Sequence, residues 1–290
     1  MQAKNQWASR LGFIMATAGA AIGLGNLWKF PYLMGRNGGF PFLIAYLFFI
    51  VILGLPVMMT EMSLGRKTRH DPVQAYADID PHAKIVGIFG VMAAFVILSY
   101  YSVIGGWIIK YIISYGTTLA APADFTMFIS SNEPVIWHFV FMAITTAICF
   151  FGISGIEKAS KFMMPLLFVL LIVIIVRSVT LPGASEGLRF IFSPEGSGFS
   201  LGSVSAALGQ VFYSLSLCMG ITITYGSYLS EKENIPKSCL SVAGLDTAIA
   251  ILAGIAIFPA VFSFQLEPKQ GPDRKSTRQN SSHIRRSRMP

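Results

Sequence analysis

Seven stretches of this chain, at 11–28, 40–60, 85–109, 134–156, 162–180, 203–229 and 240–266, are long and almost free of charge. A helix needs about 20 apolar residues to cross the hydrocarbon of a bilayer. It must be a helix or a closed barrel, because lipid offers backbone groups no hydrogen-bond partner. Runs of this length are too long for barrel strands, so the chain reads as an all-α polytopic membrane protein. Composition agrees: 53% of residues are hydrophobic and 12% charged, with mean hydropathy +0.61, against about a quarter charged in soluble proteins. A soluble domain and a disordered chain are both excluded.

The net charge of +8 does not mark a nucleic-acid binder. Residues 273–290 hold six Lys/Arg and one Asp, so most of the excess lies in that tail, and the other basic residues flank apolar runs. No nucleic-acid partner is expected; the partner is lipid. Lys4 and Arg10 precede a run too long for a cleavable signal. With the N-terminus in the cytoplasm, the inner connections carry ten Lys/Arg and the outer ones six, which favours that orientation in a plasma membrane. Cys149, Cys218 and Cys239 have neither zinc nor disulfide spacing and read as inert thiols.

Two runs differ from the rest. The first contains Gly19-Ala20-Ala21-Ile22-Gly23-Leu24-Gly25-Asn26 and the sixth Ser214-Leu215-Ser216-Leu217-Cys218-Met219-Gly220, small or polar residues at mid-membrane depth. Unwound backbone there is tolerated only where it lines a cavity, and paired interruptions point to a transporter's binding site. Glycine for close helix packing is the other reading. Gly155 and Pro165 are a second feature: the proline lacks a donor, which makes the stretch a hinge or an ordinary first-turn proline.

Acids at depth are costly and nearly always face a partner, a cavity or an ion. Glu61 is next to Gly65-Arg66, which suggests an interfacial pair with that arginine. Asp246 lies deeper. It is either a neutral, hydrogen-bonded acid or a cation ligand. Sodium prefers oxygen ligands, and Asn26 and Ser214, one from each interrupted run, can supply them beside Asp246. No metal spacing among the histidines, no GxSxG and no P-loop competes, so no enzyme is expected.

These residues resemble the neurotransmitter:sodium symporter family. The resemblance is carried by Trp7-Ala8-Ser9-Arg10-Leu11-Gly12-Phe13, Gly23 to Tyr32, Asn37-Gly38-Gly39, Gly54-Leu55-Pro56 with Glu61, Tyr100-Tyr101, Gln210 to Ser216 and Thr224 to Tyr228, and it runs from about residue 6 to 272. It implies an inverted-repeat fold with helices 1 and 6 broken. Residues 1–181 would form the first five-helix repeat, 182–202 an extracellular loop, and 203–268 helices 6 and 7 of an incomplete second repeat, seven of about eleven or twelve helices. The basic tail, 269–290, looks foreign to the family, as a truncation or frame change would produce.

The resemblance also implies roles. A first sodium ion would be held by the Ala21 carbonyl, Asn26, Ser214, Asp246 and the substrate carboxylate, and a second by the Gly19 and Ile22 carbonyls with ligands from a helix the chain lacks. The substrate would lie at Ala20, Ala21, Gly23, Leu24 and Gly25, with its carboxylate on the Leu24 and Gly25 amides and the Tyr101 hydroxyl. Ile97, Tyr213, Ser214, Ser216 and Met219 would surround its side chain. Gly23 stands where monoamine carriers place an aspartate, and the pocket residues bring no charge, so the resemblance implies a neutral hydrophobic or aromatic amino acid. Chloride-requiring members use Tyr46, Gln210 and Ser214 with an asparagine and a serine where this chain has Asp246 and Ala250, which implies chloride independence. Lys4, Trp7 and Tyr228 would form the inner gate, Lys29 replaces the outer-gate arginine, and Gly155 and Pro165 would be a hinge. Sodium-coupled symport by alternating access follows for the intact protein, with the 290 residues inactive alone. A non-transporting sensor or channel-like relative is the alternative.

Overall fold

The structure is a computed structural model that describes residues 7–118, 125–194 and 198–266. Lys4 and the tail from 267 lie outside the described residues. Those described form helices and turns, without a strand among them. In chain order the helices are α1 (Arg10–Ala21), α2 (Phe30–Arg36), α3 (Phe40–Phe49), α4 (Leu55–Thr68), α5 (Pro72–Ala77), α6 (Lys84–Thr118), α7 (Phe125–Ile129), α8 (Glu133–Phe150), α9 (Gly152–Val179), α10 (Ala184–Phe192), α11 (Leu201–Ser214), α12 (Ile221–Gly226) and α13 (Ile235–Ser263). Wide helical turns at Gly25–Lys29 and Ile50–Gly54 lead into α2 and α4.

Among the described residues, five continuous stretches are long and apolar enough to cross a membrane: Phe40–Thr68, Pro81–Thr118, Glu133–Phe150, Gly152–Val179 and Ile235–Ser263. The pair Arg10–Ala21 and Gly25–Arg36, bent by 50°, passes the same test as one broken span. The sixth sequence run is broken as well, into α11 and the six-residue α12, neither long enough to cross alone. The chain is a multi-pass membrane protein.

Helix starts follow local chemistry. Asp71 accepts from the Val73 and Gln74 amides ahead of α5, and Asn234 accepts from the Lys237 amide ahead of α13, each with a proline in the first turn where no donor is needed. Ser200 and Ser203 cap α11 reciprocally. In the connection after α5, hydrogen bonds from Gln74 and then His70 hold the exposed Asp78 carboxyl below the usual carboxylate range.

Two elements depart from the hydropathy reading. The third helix does not end near 109 but continues to Thr118, because Lys110 pairs with Glu133 and lies over the Trp137 ring. A paired charge interrupts hydropathy without interrupting a helix. The segment 182–202, expected as a loop, contains α10, whose apolar side packs on α13 through Ile191, buried, and Phe190, whose ring lies 4.9 Å from Phe258.

The described residues divide into two compact units. One takes residues 7–16, 60–118, 125–162 and 218–233, the other 17–59, 163–194, 198–217 and 234–266. In the first unit α6 packs on α8 and α5, and the α6–α8 contact is close: a Cβ on Gly106 would come within 2.7 Å of backbone at Trp137 and His138. In the second unit α10 packs on α13 and α3 on α11, and Ala18, Ile22, Leu171, Ile249 and Ala256 form one buried cluster. Small residues let helices approach where lipid provides no hydrophobic drive between them.

Gly187 carries the α10–α13 contact, since a Cβ there would lie 2.5 Å from the Phe258 carbonyl carbon and Pro259 nitrogen. Gly187→Ala is expected to cost about 1–3 kcal/mol, the usual cost of overpacking. Gly209→Ala, with nothing within 4 Å, is expected to be neutral or to stabilise α11 by up to about 1 kcal/mol. Apparent melting temperatures in detergent separate the two, and equal values would refute the close-contact account.

Candidate functional site

The second unit contains a fully buried polar cluster. Asn26 stands in the wide turn after the break in the first helix, Tyr46 on α3, Ser214 at the end of α11 and Asp246 on α13; each is at most 1% exposed. The Asn26 Nδ2 amide donates to Asp246 Oδ1 at 2.8 Å, to the Asp246 carbonyl at 3.1 Å and to Ser214 Oγ at 3.3 Å. Ser214 Oγ donates to Asp246 Oδ2 at 2.7 Å, and the Tyr46 hydroxyl lies 3.2 Å from that same oxygen. Separate segments of the chain thus converge on one carboxylate. A buried charge is tolerable only when hydrogen bonds replace the water it lost.

In and beside the cluster are acceptors that no donor among the described residues meets. Asn26 Oδ1 and Gln210 Oε1 are buried and without a hydrogen-bond partner among the described residues, while Gln210 Nε2 donates to the Gly25 carbonyl at 3.1 Å. An unmet buried acceptor costs about 1–3 kcal/mol. A carboxylate, an amide oxygen and a hydroxyl oxygen form an all-oxygen set that fits a hard monovalent cation and offers nothing to a soft metal.

The breaks supply backbone groups. The last turn of α1 leaves carbonyls without helical donors, and this turn and the residue after it include Gly19, Ala20, Ala21 and Ile22. Ala20's carbonyl accepts from Ser216 Oγ at 3.0 Å. The sixth helix breaks at 215–220, where Ser216 (φ 53°) and Cys218 (φ 60°) are in the left-handed region beside Gly220 (φ 73°). Such backbone costs of order 1–3 kcal/mol at each non-glycine residue and persists only where surrounding bonds hold it. In the first unit Glu61 supplies them. Its carboxylate, 5% exposed, accepts from the Cys218 amide at 2.9 Å and from the Thr222 hydroxyl.

This corrects the expected Glu61–Arg66 pair. Arg66 donates instead to the Glu233 carbonyl at 2.7 Å, and Glu61 turns inward to the broken helix. Neighbours in sequence are the natural guess for a partner, yet a residue 157 positions away holds the stronger claim because its amide is otherwise unmet.

The other expected site residues divide between the units. Gly19 to Asn26, Lys29, Tyr213, Ser214, Ser216 and Asp246 lie in the second, and Lys29 Nζ stands 3.6 Å from the Tyr213 ring centroid. Trp7, Ile97, Tyr101, Met219 and Tyr228 lie in the first. There Trp7 Nε1 donates to the Tyr225 carbonyl at 3.2 Å with its ring edge-on to Tyr225 at 5.3 Å. Arg10 pairs with Glu233 at 2.9 Å. α9 is helical throughout, through Pro165. Sequence reasoning passed over Tyr225, Glu157 and Thr222. Tyr225 stood within a quoted motif, whereas a lone Glu or Thr carries no local signal.

With this geometry described, comparison with known proteins identifies the relatives. The model of the Sodium:neurotransmitter symporter family matches residues 4–132 and 123–271. The chain belongs to this family. It is 42% identical over 92% of its length to an uncharacterized sodium-dependent transporter, YhdH, of Bacillus subtilis, and 38% identical over 93% to another of Haemophilus influenzae. It covers 62% and 64% of those proteins. A solved structure of MhsT in complex with L-phenylalanine shares 47% identity and a TM-score of 0.87 over 94% of this chain and 64% of that one. The chain therefore spans less than two thirds of these relatives. Its fold is the inverted-repeat transporter fold with helices 1 and 6 broken, and its relatives are transporters.

Removing the Glu61 carboxylate takes the acceptor from the buried Thr222 hydroxyl and from the Cys218 amide beside strained backbone. Glu61→Ala is expected to lower stability by roughly 2–3 kcal/mol, as for bonds to a charged group. Thr222→Val, which leaves the Cys218 bond, should cost less than half of that. A Glu61→Ala melting curve matching the parent's would overturn this assignment.

Proposed function

We propose that this chain is the substrate- and sodium-binding part of a sodium-coupled amino-acid symporter of the plasma membrane, with its N-terminus in the cytoplasm. The observation that supports it is the Asp246 cluster. A buried carboxyl held by the Asn26 Nδ2 amide stands beside the broken first helix, with Asn26 Oδ1 unmet among the described residues, at positions the family motifs assign to the first sodium ion. Ala21, Asn26, Ser214 and Asp246 would hold that ion, and Gly19 and Ile22 would offer carbonyls to a second. Bound sodium supplies positive charge that offsets the buried carboxylate and attracts a substrate carboxylate.

The residues do the rest. Asn26 and Ser214 orient the Asp246 carboxylate, and Ser216 ties the first break to the sixth through the Ala20 carbonyl. Gly25 lies close under the Tyr213 ring, where a Cβ would come within 3.0 Å, so a side chain at 25 would crowd that ring. Amides at a helix start suit a carboxylate. Ile97, Tyr101 and Met219 are assigned to the substrate by motif alone. Their apolar and aromatic character, with the glycine at 23, favours a neutral hydrophobic or aromatic amino acid, and the L-phenylalanine in the MhsT structure supports that class.

The same cluster supports chloride independence. Asp246's carboxylate stands between the Tyr46 and Ser214 hydroxyls and supplies the negative charge that chloride brings elsewhere in the family. The activity belongs to a protein of the relatives' full length, and the 290 residues alone are expected not to transport.

The test is sodium-dependent binding and uptake of labelled phenylalanine or leucine, for the 290-residue chain and for a full-length version in proteoliposomes. Uptake by the full-length protein should need sodium, survive replacement of chloride by gluconate, and resist competition by lysine or glutamate. Asp246→Asn should weaken sodium-dependent binding about tenfold or more, the scale of a lost charged contact. Binding without concentrative uptake would move the protein to the sensor class, and loss of uptake in gluconate would end the chloride reading.

A further inference from the structure

The end of α4 carries a charge that the fold leaves without a partner. The span Phe40–Thr68 has 29 residues, which at about 1.5 Å each makes about 43 Å of helix against about 30 Å of hydrocarbon, so its last turns stand among the lipid headgroups. Arg66, Lys67 and Arg69 close it, as basic residues do at a membrane surface. Two of these are occupied, Arg66 by the Glu233 carbonyl and Arg69 by the Ser227 carbonyl. Lys67 is exposed and has no ion-pair or hydrogen-bond partner among the described residues.

Lys67 lines a cleft of about 740 Å³ in the first unit, with Ser63, Leu64 and Thr68 of α4 and with Asp78 and Ile79 of the connection after α5. That volume suits a small ligand, for which about 300–1,000 Å³ is usual. The two charges of the cleft do not pair with each other. Asp78 Oδ1 accepts instead from Gln74 Nε2 at 2.9 Å, and Oδ2 lies 2.7 Å from His70 Nδ1. Those bonds keep its carboxyl ionised and leave each oxygen a lone pair for a further donor. Opposite charges are thus held apart on the walls of one cleft.

An occupant has to satisfy both. A purely anionic group would meet the Asp78 carboxylate, and a simple cation the Lys67 ammonium. A zwitterion with a phosphate and a primary ammonium meets each with its opposite, and its N–H groups give Asp78 the donors that a quaternary ammonium lacks. Leu64 and Ile79 add an apolar wall, and Ile79 is 67% exposed, a state that contact with hydrocarbon relieves. We propose that this cleft binds an aminophospholipid, with its phosphate on Lys67 and Ser63, its primary ammonium on Asp78 and the upper part of its chains against Leu64 and Ile79. The lipid would join the end of α4 to the connection between α5 and α6. That the leaflet is the cytoplasmic one rests on the orientation proposed for the symporter, whereas the headgroup chemistry does not.

The test is native mass spectrometry of the full-length protein, stripped of lipid in detergent and offered phosphatidylethanolamine, phosphatidylcholine and phosphatidylglycerol with identical chains. Phosphatidylethanolamine is expected to be retained about tenfold better than either of the others, the scale of hydrogen bonds to charged groups. Lys67→Gln should remove that advantage. Asp78→Asn should remove it too, while raising retention of phosphatidylglycerol, whose headgroup the carboxylate repels. Both side chains are exposed, and unchanged melting temperatures verify that the variants are folded. Lys158→Gln, at an exposed lysine that does not line the cleft, should leave the preference intact. Equal retention of the three lipids, preference for phosphatidylglycerol in the parent, a preference that survives both cleft variants, or equal loss in Lys158→Gln would each overturn the site. Excess soluble phosphoethanolamine should not displace the lipid, since it brings no chain for Leu64 and Ile79; displacement would overturn the lipid assignment. The measurement needs neither sodium nor a membrane orientation, so its failure leaves the symporter reading standing and failure of sodium-dependent uptake leaves the lipid site standing.

Discussion

Lipid gives no hydrogen bonds, so a helix that breaks at membrane depth must find partners for its freed backbone groups elsewhere in the same chain. The rest of this structure depends on that constraint. At the sixth helix, Glu61 meets the Cys218 amide and the Thr222 hydroxyl, holding left-handed backbone that lipid alone would not tolerate. At the first, Ser216 reaches the Ala20 carbonyl and Gln210 reaches the Gly25 carbonyl. Buried polar side chains that would be a liability in a bilayer are here the condition for having a break at all.

The Asp246 cluster extends the same logic to charge. Asn26, Ser214 and Tyr46 hold the carboxyl group, while Asn26 Oδ1 is without a donor among the described residues. An arrangement fully satisfied by protein would have little affinity left for an ion. This one leaves the Asn26 Oδ1 acceptor unmet among the described residues while Nδ2 of the same side chain holds Asp246. Glu157 stands at the other end of the first helix with a comparable economy, one carboxylate serving two elements.

Much of this was legible in the residues, and the reasons differ by feature. Span number and order follow from runs of apolar residues whose length the bilayer sets. The two breaks were legible because glycine and serine at depth are locally unfavourable, and Asp246 because an acid there needs a reason. Lys110 misled the reading of the third helix, since hydropathy counts its charge but not the Glu133 that pairs with it. α10 was missed because the reading followed runs of apolar residues, whereas this nine-residue helix shows only in the helical spacing of Ala184, Gly187 and Ile191, the side it buries.

Partner identity marks the boundary between the two kinds of knowledge. The sequence by itself determined the class of the protein, the places where its helices break and the residue types gathered there, because those depend on transfer to lipid and on local backbone preference. Only the tertiary structure decided that Glu61 holds Cys218 and Thr222 rather than Arg66, that Trp7 meets Tyr225, and that Glu157 accepts from the Ala8 amide and the Ser9 hydroxyl ahead of the first helix. A hydrogen bond is directional and short, so which of many distant groups completes it depends on how the helices pack, and spacing along the chain does not encode that.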